Sequence, residues 1–562
     1  MSPLLTSRVT RRSACALLAL SLAVSVFAQP IDLPLGSSNA SNHDDFGSHV
    51  APKAAAAAAK KSSSILLKGA AIIAYDDKKN ELDIIRGGSL LIIDDRIADV
   101  GMKLTTPIPR GTEVVDVTNS IITPGFVDTH KHSWQHIYQT LAPDILLGDY
   151  VYKFSGLSKL TTQINADDAY ISTFMSLTDS LNAGVTSILD HAHGTFTPKH
   201  SEAMLKAHID SGARVWNAYS IVPIPSTQGG KFHLDWSGQE PGGWKWKQFE
   251  QLAKEAPWAD GRVQLGLGWE MGREEDEVKY GFDKASELNV SVVTLHHVGY
   301  PMQATGVTPK AIYQLNAWGY LNKSYPVVFS HGTVADGADL NILRNTNHFV
   351  SVTPESEHHY THGQIFTSAL LEQAALGIDT SYTFSSDMLT QMRLQLQSTR
   401  NVGANVAHVN FRFTNNTVMT VNQAFLLGTR NGGLALRRPD IGVIKKGAKA
   451  DVVIFNTDNT ATSAFEDPVA AVVLHSHVGN IEHVILDGKW VKRDFKLVGL
   501  DWKSTKETFS KSARKIQKIV KEYSKDWARF RAEMSEVIGW TGDEFMNVPQ
   551  VKVDPSVLTK KV

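Results

Sequence analysis

The chain has 562 residues, 42% hydrophobic and 20% charged, an ordinary balance for a globular protein with a large core, and one that excludes disorder along its whole length. Lys and Arg number 56 against 57 Asp and Glu, a net charge of −1, so no strong field recruits nucleic acid or an anionic membrane. A small molecule is the expected partner, with self-association left open.

At the N-terminus Arg8, Arg11 and Arg12 precede the apolar run CALLALSLAVSVFA, which closes on the small residue Ala28. That is the order of a secretory signal, and the run is short for a membrane span. It predicts cleavage near Ala28, a secreted product and no membrane attachment after cleavage, with an uncleaved anchor as the alternative. The single cysteine, Cys15, lies inside this segment, so a mature chain would hold any metal through nitrogen and oxygen alone. Asn39, Asn289, Asn322 and Asn415 head Asn-x-Ser/Thr sequons, as expected of an exported glycoprotein, although Asn289 abuts the strand-like VSVVTL.

Residues 29–64 are polar and then alanine-rich, a flexible leader with little to pack. From 65 to 123 short β-rich runs alternate with turn signals, and the same texture returns over 437–500 in GVIKKGAKADVVIFN and IEHVILDGKWVKRD. Short strands need a second layer, so the two blocks are expected to form one small composite β-sandwich built from both ends. Between them, over 124–436, eight apolar runs alternate with helical stretches: GFVDTH, VTSILDH, RVWNAYSIV, RVQLGLGWE, SVVTLHH, PVVFSHG, HFVSVTPE and TSYTFSSD. This pattern predicts an α/β fold, a (β/α)8 TIM barrel whose site lies at the C-terminal ends of the strands. Over 501–562, a stripe from Phe509 through Ala513, Ile516, Val520, Trp527 and Met534 predicts an amphipathic helix docked on the barrel or over its mouth, with a coiled-coil contact as the alternative.

The strand ends carry the chemistry. In PGFVDTHKHSWQH, strand alternation aims His130 and His132 to one side and Lys131 to the other, a chelating pair. His296 and His297 end the fifth run, His331 the sixth and Asp387 the eighth. Together they make a nitrogen-and-oxygen donor set suited to zinc, with iron the alternative. His136 lies beyond the strand, as a supporting or packing residue.

These segments, across roughly residues 65 to 495, resemble the amidohydrolase superfamily, in the branch of triazine hydrolases and guanine, cytosine and adenosyl-type deaminases. IITPGFVDTHKHSWQ is similar to the family's opening motif, GVTSILDH to its third strand, and VVTLHH, VVFSHGT and GIDTSYTFSSD to the strands ending in later ligands. NGGLALRRPDIGVIKKGAKADVVIFN is similar to its closing segment. The resemblance implies His130, His132, His296 and Asp387 as ligands of one divalent ion, and His331 beside it polarising the substrate. No lysine ends RVWNAYSIV, so a carboxylated-lysine bridge to a second metal has no candidate there.

It further implies metal-activated hydroxide attacking a carbon–nitrogen, non-peptide bond of a small cyclic compound, with Asp387 moving the proton. One departure matters: deaminases of this branch carry Glu three residues beyond the strand-five His, where this chain has Gly299. Glu270 and Glu357 are the replacement acids, each otherwise a loop or capping carboxylate. Gln135, His191, His297 and His358 are the expected substrate contacts, with His193, His359 and His362 nearby and Trp134, Trp269 and Tyr360 suggesting a planar or apolar ligand. The alternatives are an amide or carbamate hydrolase and an inactive homologue that only binds.

Overall fold

A computed structural model describes residues 63–229, 231–270, 275–299, 310–363, 368–540 and 546–549. The signal segment, most of the leader, Cys15 and Asn39 lie outside the described residues. Among the described residues no helix is long and apolar enough to cross a membrane.

The chain begins its fold at Ser64 with β1 (Ser64–Asp76), followed by β2 (Glu81–Ile93), β3 (Arg96–Gly101), β4 (Glu113–Asp116) and β5 (Ser120–Pro124). Register shifts on either side of Ala70 let β1 pair with β4 over Ile65–Lys68 and with β5 over Ala71–Ile72. The barrel strands follow: β6 (Phe126–Lys131), β7 (Val185–Ala192) and β8 (Arg214–Ser220). A hairpin of β9 (Ile224–Gln228) and β10 (Lys231–Asp235) then intervenes before β11 (Val263–Gly268), β12 (Val293–His297), β13 (Val327–His331), β14 (Phe349–Val352) and β15 (Ala374–Leu376). Afterwards β16 (Val452–Asn456), β17 (Ile481–Leu486), β18 (Lys489–Arg493) and β19 (Lys496–Leu497) return to the first sheet. Its nine strands thus come from both ends of the chain, with β16 antiparallel to β5.

The barrel sheet has eight strands in the order β6-β7-β8-β11-β12-β13-β14-β15. Its strands read as continuous apolar runs because they are buried on both faces; every residue of β6, β7 and β8 is buried. The ring closes through the residues just after β15. Asp379 N–H donates to His130 O at 2.8 Å, His132 N–H donates to Asp379 O at 2.8 Å, and Lys131 and Asp379 form a parallel bridge.

Seven of the eight expected runs supply barrel strands, and the eighth does not. TSYTFSSD is turn and irregular chain, and the eighth strand is the preceding AAL. Small residues suit that position, since Gly377 lies against His130 and Ser351 where a Cβ would approach to 2.9 Å and 2.7 Å. VTSILDH is the second barrel strand, not the third, and the fourth is β11, whose run ends at Glu270. No lysine stands there either.

At the opposite end of the strands, Arg214 opens β8 and its guanidinium donates to Asp451 and Asp487 of the other sheet, all three side chains nearly buried. The C-terminal stripe divides between α4 (Trp502–Tyr523) and α5 (Trp527–Ile538), numbered after α1 (Ala166–Asn182), α2 (Pro354–Tyr360) and α3 (Met388–His408). Phe509, Ala513, Ile516 and Val520 share a core with Trp134, Tyr138 and Phe154, so the stripe is satisfied within the chain.

Candidate metal centre

Two residues apart on β6, His130 and His132 point to the same side and are both buried. His296 reaches them from β12: its Nε2 lies 3.2 Å from His132 Nε2. The fourth donor is Asp379, whose Oδ1 lies 3.4 Å from His130 Nε2 and 3.3 Å from His132 Nε2. His331 joins His130 and Asp379 within the same cluster. Both His331 and Asp379 have positive φ, 73° and 69°, an uncommon backbone state for such residues that turns each side chain at its strand end.

Asp387, the expected ligand, is engaged elsewhere. It is the N-cap of α3, its carboxylate accepting from Leu389 N–H at 2.9 Å and Thr390 Oγ1 at 2.7 Å. The eighth strand ends earlier than the β-like texture of TSYTFSSD indicates, so Asp379 takes the place assigned to Asp387.

The partners of the ring Nδ1 atoms decide what the cluster can hold. His132 Nδ1 faces the backbone carbonyl of His191 at 2.8 Å, and His296 Nδ1 faces the Glu270 carboxylate in a short contact. Both partners only accept, so each Nδ1 carries a proton and each Nε2 presents a lone pair when its ring is neutral. Those lone pairs face each other with a carboxylate oxygen beside them. His130 Nε2, whose ring is held at Nδ1 by Ser330 Oγ at 2.8 Å, is buried without a hydrogen bond. The arrangement is a three-imidazole, one-carboxylate set with each histidine held from behind, which fits a divalent ion.

Electrostatics agree with that fit. Burial pushes His130 well below its usual value, His132 down to about 4 and His331 to about 3, so these rings are neutral at neutral pH. Burial alone would raise Asp379, but the His130 ring facing it at 3.4 Å and the neighbouring imidazoles hold it well below the ordinary carboxylate range. His296 is the exception: burial opposes its charge, but Glu270 raises its pKa.

Glu270 therefore braces His296. Glu357 braces by another route: it accepts from Thr353 N–H at 2.7 Å, while Thr353 Oγ1 lies 2.8 Å from His331 Nδ1. Its Oε2 is buried without a hydrogen bond, and burial raises the carboxyl to about 8, leaving it mostly protonated at neutral pH. Gly299 borders this region with its ideal Cβ position 3.3 Å from Val334 and 3.4 Å from the His362 carbonyl, leaving little room for a longer side chain.

The expected substrate contacts divide. His191 is buried, stacked on His296 at 4.8 Å, with neither ring nitrogen hydrogen-bonded. Gln135 donates to Tyr150 Oη at 3.0 Å and to the Phe154 carbonyl at 2.9 Å, and its Oε1 has no hydrogen bond. His297 follows His296 on the strand and so turns to the opposite face, its ring against Phe329. His358 is exposed and bonded to Ser398 at 2.6 Å, because α2 is a helix and turns it outward from Glu357. Neither His297 nor His358 joins the cluster.

Nearer the cluster are His362, edge-on to His331 at 4.6 Å as its place near the expected contacts suggests, and Ser356, which carries no sequence signal and donates to Asp379. His193 stacks on His132 at 4.0 Å and accepts from Trp134 Nε1. His136 packs on Phe509 and bonds Ser381, in a supporting position.

A profile of the amidohydrolase family matches residues 121–491. The 5-methylthioadenosine/S-adenosylhomocysteine deaminase of Thermococcus kodakarensis is 24% identical over 422 residues, covering 73% of this chain and 90% of the relative. A 5'-deoxyadenosine deaminase of Methanobrevibacter smithii is 24% identical over 454 residues, covering 78% and 95%. Among solved structures, zinc-bound atrazine chlorohydrolase of Arthrobacter aurescens superposes with a TM-score of 0.66 at 17% identity, covering 80% of this chain and all of the other. An adenosine deaminase from Xanthomonas campestris with bound zinc gives 0.66 at 16% identity, covering 81% and 99%. With the barrel, the closing sheet and the histidine–aspartate cluster in place, the chain belongs to the amidohydrolase family of metal-dependent enzymes, and its curated relatives include deaminases.

Proposed function

We propose that the chain is an exported hydrolase that removes an amino group from a small, uncharged, planar nitrogen heterocycle, using one divalent ion, zinc, held by His130, His132, His296 and Asp379. The observation that carries this reading is the convergence of the His132 and His296 Nε2 atoms, 3.2 Å apart, beside Asp379 Oδ1, a donor cluster suited to a divalent ion. A bound ion of this kind lowers the pKa of a water to about 7 and polarises the substrate. Asp379 is placed to accept a proton at Oδ1, and His331, fixed at Nδ1 by Thr353, presents Nε2 as a hydrogen-bonding group to the substrate. Water adds to the ring carbon, the carbon–nitrogen bond breaks and ammonia leaves with the transferred proton. Glu357 is the better proton source of the two candidate acids, because Glu270 is tied to His296 while Glu357 retains a proton.

A neutral substrate fits the site: Asp379, held well below the ordinary carboxylate range, faces the ion, and the Glu270 carboxyl is tied to His296, so neither is left to pair with a charged substrate. Relatives named as deaminases of adenosine derivatives support an amino-heterocycle. Export rests on the N-terminal order of charge, apolar run and small residue, and N-terminal sequencing of protein from the culture medium tests it.

A second reading is hydrolysis of an exocyclic amide or carbamate. The crowding at Gly299 favours it, because no carboxylate there can reach a ring nitrogen. Assays of ammonia on aminopurines and aminotriazines, against amine and acid on matched amides, separate the two. Turnover of amides alone would overturn the deaminase reading, and no turnover with a full complement of metal would overturn both.

A further inference from the structure

The last turns of α3 carry an apolar face that is left exposed among the described residues. Val402, Val406 and Val409 lie on one side of the helix at intervals of four and three residues, and Phe411 and Phe413 follow on the turn beyond it. Phe411 is 100% exposed, Phe413 97%, and Val406 and Val409 about three-quarters exposed. Soluble chains seldom leave such a run of large apolar side chains together in water.

The turn is held in place. Phe411 N–H donates to His408 O and Arg412 N–H to Ala407 O, and Phe411 sits at φ 52°, the left-handed region that bulky residues rarely enter. Four amide bonds at the helix end thus hold a fully exposed aromatic side chain outward in an unfavourable backbone state; the other two are Val409 N–H to Asn405 O and Asn410 N–H to Ala407 O.

We propose that this face is the contact between two copies of the chain, related by a two-fold axis that pairs the end of α3 with itself. Area supports this occupant. Two phenylalanines at roughly 150–250 Å² each, with the valines, give roughly 600 Å² per copy, hence about 1,200 Å² buried in total, the lower bound of stable interfaces. Charge supports it too. From Met388 to Pro439 there is no Asp or Glu, and the exposed tip adds only Arg412 and His408 as basic groups. That is too little for an anionic lipid surface, which calls for a cluster of basic residues, and few enough for like charges to sit at the rim of a two-fold contact. The pairing would also brace the site, since α3 holds α2 through His358 to Ser398 and Glu355 to Gln391.

Light scattering and sedimentation equilibrium on the metal-loaded, full-length enzyme, from nanomolar to tens of micromolar, test the proposal. The wild type is expected at twice the chain mass. Phe411→Asp with Phe413→Asp is expected to weaken association by at least about 100-fold, because each residue is used twice in a two-fold interface. Val406→Lys provides a second variant on the regular helix, and an unchanged circular dichroism spectrum shows that each variant folds. A wild type that is monomeric throughout overturns the proposal, as does a dimer that both variants leave intact. Binding of monomeric wild type to anionic vesicles would overturn it in favour of a membrane surface.

Discussion

Replacing Asp379 by Asn removes one charge and no volume from the centre of the site. The two imidazole nitrogens 3.4 Å and 3.3 Å from Oδ1 remain, but the negative group facing them does not. At an effective dielectric of 20, two unit charges 4 Å apart attract by about 4 kcal/mol, and a dication doubles this. If half is returned to dehydration, the loss is about 4 kcal/mol, or about a thousandfold in metal affinity. The assay is metal per chain after dialysis against buffered free zinc, alongside ammonia release. Asp387→Ala is the paired control: it removes the helix cap on α3, costs about 1 kcal/mol and lowers Tm by about 2 °C, and leaves metal content unchanged. If Asp379→Asn keeps wild-type zinc affinity while Asp387→Ala loses it, the assignment of the carboxylate ligand is refuted.

Glu270→Gln keeps the shape of the brace on His296 but weakens its pull, so zinc affinity should fall about 10- to 100-fold while turnover at saturating zinc largely survives; a titration against a competing chelator reads both. Glu357 has its pKa raised by burial from 4.5 to about 8, so the folded state keeps a proton that the unfolded chain releases. Its contribution to stability is therefore complete below about pH 4.5 and is lost as pH rises to about 8. Glu357→Gln should make the fall in denaturation midpoints between about pH 6.5 and 8 less steep; Asp128 and Glu355, both raised to about 7 by burial, contribute to the same fall, whereas buried histidines such as His132 and His331, lowered to about 4 and about 3, act with the opposite sign below about pH 6.5. The same variant should remove an alkaline loss of activity near pH 8, and an unchanged pH–rate profile would exclude Glu357 as the proton source. Arg214→Met removes the buried cation facing Asp451, while Asp487 keeps Lys449 at 3.0 Å, and chemical denaturation should show a loss of about 3–5 kcal/mol.

Much of the barrel was legible because parallel strands buried on both faces leave apolar runs bounded by turn residues, and the i, i+2 rule placed His130 and His132 on one side without a structure. The eighth strand escaped for a physical reason. AAL is short and follows LLEQ, a helix-like composition, whereas TSYTFSSD has the β-branched and aromatic texture of a strand yet forms an irregular turn. Strand identity there is decided by what fits beside His130, a tertiary requirement for small residues that propensity does not carry. The same limit applies to His358, which looked central until α2 was seen to be a helix. It applies also to Glu270, whose role depends on a ring 26 residues away. The C-terminal stripe was readable, but its partners around Trp134 were not.

Asp379 has two tasks. Its backbone exchanges the hydrogen bonds that join the last barrel strand to the first, and its side chain faces the histidines of that first strand. The donor set is therefore incomplete until the ring is shut, and a nascent chain lacking its eighth strand presents at most the imidazole donors. Cofactor loading then becomes a late event that locks the seam, and slow loss of the ion at high temperature would begin as a parting of the first and last strands.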